Sequence, residues 1–204
     1  MEKIDSLQVF FIRHAQTDYN DIGDRDPSDG ELTAIGEQQC IDLGNKLKDL
    51  PFSAYITSSL LRSFKTASGV CNARDEKPLL EICPELIECG CTPGYYGCSE
   101  AYLQRFYPKT KMCEKLFGTE NYEFGCEAFD DNVLRAQKVI SYIKNRFSFG
   151  ERVAVFSHHG MLEYLIPVAL GVEPHVFRFS LDNTSTTVVD FCHDGNTVLR
   201  YVNK

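Results

Sequence analysis

The sequence predicts an α/β fold, a mostly parallel central sheet flanked by helices, and three observations predict it. Short apolar runs rich in β-formers alternate with segments of helical period along most of the chain. Polar and charged residues begin where those runs stop, as at Arg13-His14 and at Ser157-His158. Near the C-terminus, Asp194-Gly195 joins two strand-like runs as a hairpin, which adds an antiparallel edge.

Leu7 to Ile12 (LQVFFI) is nearly continuous in apolar residues and reads as a buried strand. Between Leu32 and Leu50, apolar residues Leu32, Ile35, Leu43, Leu47 and Leu50 recur at helical spacing. Thr33 with Gly36-Glu37 suits the start of that helix and Pro51 closes it. Ala54 to Thr57 is a second strand, Leu60 to Val70 a second helix opening after Ser58-Ser59, and Leu79 to Ile82 a third strand. Asp130 to Phe147 places Val133, Leu134, Ile140, Ile143 and Phe147 at helical spacing, and Val153 to Phe156 is another buried strand. A helix over Met161 to Leu170 follows, then strands over Val176 to Leu181, Thr186 to Phe191 and Thr197 to Val202. Thr92 to Phe129 has no period, holds Pro93, Gly94, Gly97, Pro108, Gly118 and Gly125, and reads as an insertion or lid over the sheet edge. The expected organisation is one domain over residues 1–204 with residues 92–129 as a lid within it.

A chain of 204 residues is long enough to bury roughly 70% of its unfolded surface. Hydrophobic residues at 43% and charged residues at 25% exclude disordered and fibrous classes. With 21 Lys and Arg against 29 Asp and Glu the net charge is -8 and no basic run tracks a phosphate backbone, so nucleic acid is not an expected partner. The longest apolar stretch, Met161 to Val172, is broken by Glu163 and Pro167 and is short of the roughly 20 residues that span a bilayer. No membrane partner is expected. Nine scattered cysteines and an N-terminus without an apolar signal region point to reduced thiols and a cytoplasmic location. Cys83, Cys89, Cys91 and Cys98 lie close in sequence but form no Cys-x2-Cys pair, so free thiols are expected rather than zinc.

Ligands of open α/β sheets bind at the carboxyl ends of strands, where residues distant in sequence converge. Arg13-His14, Arg62 and His158 are such residues. Taken singly, a strand-terminal Arg is usually a solvated charge and a lone His a packed residue. Together, two imidazoles and two guanidiniums suit a phosphoryl group: Arg offers a planar fork of donors to its oxygens, and an imidazole nitrogen can attack phosphorus. No Cys-x5-Arg loop and no P-loop Gly-x4-Gly-Lys is present.

The string Phe10-Phe11-Ile12-Arg13-His14-Ala15-Gln16-Thr17 resembles the Arg-His-Gly signature of the histidine phosphatase superfamily, the phosphoglycerate mutase-like fold. Four further segments resemble that family's motifs in order: Leu32-Thr33-Ala34-Ile35-Gly36-Glu37-Gln38-Gln39, Ser58-Ser59-Leu60-Leu61-Arg62-Ser63-Phe64-Lys65-Thr66-Ala67, Val155-Phe156-Ser157-His158 with Gly160, and Leu181-Asp182-Asn183-Thr184-Ser185. Ala15 stands where the signature usually has Gly, Gln16 where it often has Glu, and His159 where a small residue is usual. The resemblance implies a metal-independent phosphomonoesterase without cofactor. His14 would attack phosphorus and form a phosphohistidine that water hydrolyses, while Arg13, Arg62 and His158 hold the oxygens. Asn20 matches a position that also contacts the phosphoryl group. Glu88, with Glu85 as fallback, matches the acid that protonates the leaving group. A mutase returning the phosphoryl group to substrate is the nearest alternative, and a non-catalytic phosphate-binding scaffold on this fold is the alternative of another class. The expected partner is a small phosphorylated metabolite, with lid residues Arg105, Lys109, Lys111 and Lys115 or Tyr95, Tyr96, Tyr102, Phe106 and Tyr107 free to meet it or to face solvent. Oligomeric state is open.

Overall fold

The computed structural model describes residues 5–18, 30–90, 97–114, 116–117, 127–176 and 178–204. In chain order they form β1 (Ser6–Arg13), α1 (Ala34–Lys46), β2 (Ala54–Thr57), α2 (Leu61–Ala73), β3 (Leu80–Ile82), a 3-10 turn (Pro84–Leu86), α3 (Glu100–Leu103), β4 (Thr110–Met112), α4 (Phe129–Arg146), β5 (Arg152–Ser157), α5 (His159–Leu170), β6 (Thr186–Cys192) and β7 (Thr197–Tyr201). The strands make one sheet in the order β4-β3-β2-β5-β1-β6-β7. All neighbours from β4 to β1 pair in parallel, and β6 and β7 close that side antiparallel. The α/β fold with a mostly parallel sheet and an antiparallel edge is as the sequence predicts.

The near-continuous apolar character of β1 and β5 has a direct cause. Side chains alternate across a strand. Val9, Phe11, Val153 and Val155 pack on one side with Val139 and Ile143 of α4 and Leu162 and Ile166 of α5. Phe10, Ile12, Ala154 and Phe156 pack on the other with Leu43 of α1 and Phe64 and Val70 of α2. Helices cover both faces, so both sets of side chains must be apolar.

Thr33 caps α1 as expected, its side chain accepting the Gly36 N–H. The helix ends at Lys46, and Leu47 to Leu50 continue as turns, so Leu47 packs in the core from outside the helix. Two expectations are corrected. Val176 and residues 178–181 are not a strand; β1 already has β5 on one side and β6 on the other, so the preceding segment has no free ladder beside it and runs as a connection. The 92–129 segment is not wholly irregular: β4 pairs with β3 (Ile82 with Met112) and extends the sheet edge. Three residues are too few to show a period.

Candidate active site

β1 and β5 lie side by side in register, Arg13 opposite Ser157, so the residues that follow each strand emerge together. The N–H of His14 donates to the Ser157 carbonyl at 2.9 Å. His14 and His158 are both buried, with ring centroids 5.2 Å apart and ring planes inclined at 52°. Nδ1 of His14 lies 2.8 Å from the Ala15 carbonyl oxygen. A carbonyl only accepts, so Nδ1 carries the proton and Nε2 keeps the lone pair. Nε2 of His158 shares a hydrogen bond with Oγ of Ser58 at 2.9 Å. Nδ1 of His158 and Nε of Arg13 are buried and make no hydrogen bond among the described residues.

The electrostatics follow from burial beside fixed cations. Burial, and then the positive charges of Arg62 and Arg13, hold the His14 imidazole well below its usual range. His158 is held down in the same way by burial, Arg62 and His14. Both rings are therefore neutral near pH 7. Arg13 is lowered by burial, an effect the carboxylates of Glu88 and Asp182 oppose.

Local sequence explains how these groups are held. The hydroxyl of Thr66 accepts the Ala15 N–H and donates to the carbonyl of Arg62, so one side chain ties the first turn of α2 to the loop bearing His14. The carbonyl of Gln16 accepts the Thr33 N–H, and its side-chain oxygen accepts the Thr33 hydroxyl. A Cβ on Gly36 would come within 2.1 Å of that carbonyl, which is why glycine stands there. On the other flank, Arg13 donates to the carbonyl of Leu181 at 2.6 Å and Asn183 Nδ2 donates to the carbonyl of His14 at 2.9 Å. Thr184 sits in the left-handed region at φ 57°, strained for a β-branched residue and held by its N–H on the Arg13 carbonyl.

Glu88 and Glu85 part company. Glu88 Oε1 accepts the N–H groups of Cys89 (2.8 Å) and Met161 (2.9 Å), and Oε2 that of Gly160 (3.2 Å). Its carboxylate thus lies on the first turn of α5, immediately after His158. Glu85 is turned away, accepting the Leu116 N–H and facing the thiol of Cys83. His159 opens α5 half-buried, next in the chain to His158. Asn20 lies outside the described residues, as do Tyr95, Tyr96 and Lys115. Of the remaining lid residues, Tyr107 is buried with its hydroxyl on the Pro78 carbonyl, and Lys109 reaches the Lys77 carbonyl.

A sequence profile of the histidine phosphatase superfamily (branch 1) matches residues 9–204. The chain belongs to this superfamily. A probable phosphoglycerate mutase of Salmonella choleraesuis is 37% identical over 68 residues, a match that spans 33% of this chain and 32% of that protein. Among solved structures, the α-ribazole phosphatase of Shigella flexneri superposes with a TM-score of 0.70 at 22% identity, covering 97% of this chain and 96% of that one. A phosphoserine phosphatase from Entamoeba histolytica, solved with 3-phosphoglyceric acid, gives 0.66 at 24% identity and 97% of both chains. At these identities the likeness shows the fold.

Three residues that hold the candidate site together were not singled out in the sequence. Ser58 and Thr66 lie inside a quoted motif, but their roles depend on contacts with another loop. Arg135 is wholly buried on α4 and donates to the carbonyls of Glu85 and Ile87, to Asn132 and to Glu127. Its signal was available: it stands on the buried face with Asn132, Ala136 and Val139, and a cation there needs acceptors to stay buried.

Proposed function

We propose that this histidine phosphatase hydrolyses phosphomonoesters of a small phosphorylated substrate in two displacements, with His14 as nucleophile. The observation that carries the reading is the state of His14: buried, neutral, and anchored by Nδ1 to the Ala15 carbonyl so that Nε2 is left to attack. Nε2 forms a bond to phosphorus as the ester P–O bond breaks, and the departing alkoxide takes a proton from Glu88. Water then attacks the phosphohistidine, giving up a proton to the Glu88 carboxylate, and the P–N bond breaks to release phosphate and neutral His14. Splitting one displacement into two lowers each barrier.

Arg13 and Arg62 supply the positive charge that the phosphoryl oxygens require, so the step needs no metal ion for neutralisation. His158 faces the same oxygens from the other strand end, its orientation set by Ser58. Loss of one such donor is expected to cost about 10²–10³-fold in kcat. Glu88 rests on three N–H groups, so giving up a proton to a leaving group requires its carboxyl to turn from the end of α5.

The test is rapid quench of the enzyme in alkaline denaturant, which preserves a P–N bond that acid would cleave, after mixing with a phosphorus-labelled aryl phosphate. Label on His14, released within one turnover and absent from His14→Ala, is the expected result. Turnover by His14→Ala at more than a few per cent of wild type, or label on another residue, overturns it.

A further inference from the structure

The ends of β3 and β4 bring together groups that the phosphatase reaction does not use. Ile82 pairs with Met112, and the Cys113 N–H donates to the Ile82 carbonyl at 2.8 Å, so Cys83 and Cys113 are the next residues along two adjacent parallel strands. The 3-10 turn that begins at Pro84 folds Glu85 back over them. The sulfurs of Cys83 and Cys113 and a carboxylate oxygen of Glu85 lie within 4.8 Å of one another. Cys83 and Glu85 are buried and Cys113 is half-buried.

We propose that Cys83, Cys113 and Glu85 form a binding site for a thiophilic divalent cation of the Zn²⁺ class. Three observations support it. Sγ of Cys83 lies 3.4 Å from Oε2 of Glu85, and a tetrahedral ion with metal–sulfur and metal–oxygen bonds of about 2.3 and 2.0 Å sets that edge at about 3.5 Å. The other carboxylate oxygen, Oε1, accepts the Leu116 N–H at 2.8 Å, the kind of outer contact that fixes a ligand's orientation. Cys83 and Glu85 are buried, so an ion held by them would be shielded from bulk water. The S₂O donor set favours Zn²⁺ over Mg²⁺ or Ca²⁺, and water completes the tetrahedron. Binding converts two thiols to thiolates and releases two protons to solvent.

The ligands come from both sides of one junction, β3 with its turn and the edge strand β4. The ion would therefore tie the end of β4 to the end of β3, three residues before Glu88, without touching the reacting atoms.

The experiment is titration of the reduced, chelator-treated full-length chain with Cd²⁺, read by the ultraviolet thiolate-to-metal charge-transfer band, and with Zn²⁺, read by thermal unfolding. One Cd²⁺ per chain and a higher unfolding midpoint with Zn²⁺ are expected. Cys113→Ser, at a half-exposed position, should abolish the band, and Glu85→Gln should weaken binding by about 10–100-fold. Cys192→Ser should change nothing, and circular dichroism checks that each variant folds. A band that survives in Cys113→Ser, affinity unchanged in Glu85→Gln, or no stoichiometric binding by the wild-type chain would overturn the assignment.

Discussion

Gly160 and Glu88 stand so close that a Cβ on Gly160 would lie 2.7 Å from Oε1 of the carboxylate. The absence of a side chain on the second residue of α5 is what lets Glu88 rest on the N–H groups of Gly160 and Met161 beside His158. The end of a carboxylate side chain can move, unlike backbone. Gly160→Ala should therefore displace Glu88 at little cost to stability, since Ala also favours the helix by up to about 1 kcal/mol over Gly. We expect the unfolding midpoint to stay within a few degrees while hydrolysis of an alkyl phosphate falls by about tenfold or more relative to an aryl phosphate. A fall shared equally by both substrates would disconnect Gly160 from the placement of the acid.

Glu88→Gln separates acid from nucleophile by the leaving group. A departing alkoxide needs a proton and p-nitrophenolate does not, so a loss on the order of 10²-fold with the alkyl ester and a much smaller one with the aryl ester is expected. Equal losses would make Glu88 a support of α5 only. Glu85→Gln should not discriminate, because Glu85 faces Cys83 and the Leu116 N–H rather than the imidazoles.

Both buried imidazoles carry a pH signature. Burial and Arg62 lower their folded-state pKa values, whereas the unfolded chain takes up protons near the ordinary value of about 6.5. Below that pH the unfolded state binds more protons, so stability falls as pH falls, by about 1.4 kcal/mol per pH unit for each imidazole until the folded-state pKa is reached. Urea unfolding at a series of pH values from neutral downward measures this, and His14→Ala should show a shallower slope than wild type. Parallel slopes would mean that His14 is protonated in the folded state. The acid limb of kcat/KM should likewise lie below the ordinary imidazole range.

Ser58 Oγ is the hydrogen-bond partner of His158 Nε2. Removing its hydroxyl in Ser58→Ala leaves Nε2 of the buried ring without its partner and the Leu60 N–H without an acceptor. A stability loss of about 1–3 kcal/mol is expected, with kcat down about 10- to 100-fold as the ring loses its orientation. Ser58→Thr, which keeps the hydroxyl, should recover most of kcat. Failure of that rescue, with a pH profile identical to Ser58→Ala, would show that the role is packing rather than positioning.

What the sequence by itself determined was local or repeated. LQVFFI and VAVF had to be strands covered on both faces, because apolar residues at nearly every position leave no face for water. The Thr33 cap, the Asp194-Gly195 turn and the strand ends at Arg13 and Ser157 were also legible, since each depends on residues within a few positions. Only the tertiary structure decided the rest. The direction of Glu88 toward the end of α5, Ser58 against His158, and Arg135 beneath the Glu85 to Ile87 carbonyls join residues 45 or more apart in the chain. The same is true of β4, whose three residues carry no period of their own and become a strand by pairing with β3. Cys83 was grouped in sequence with Cys89, Cys91 and Cys98, yet it meets Cys113, because parallel strands place as neighbours residues that the connecting chain keeps far apart.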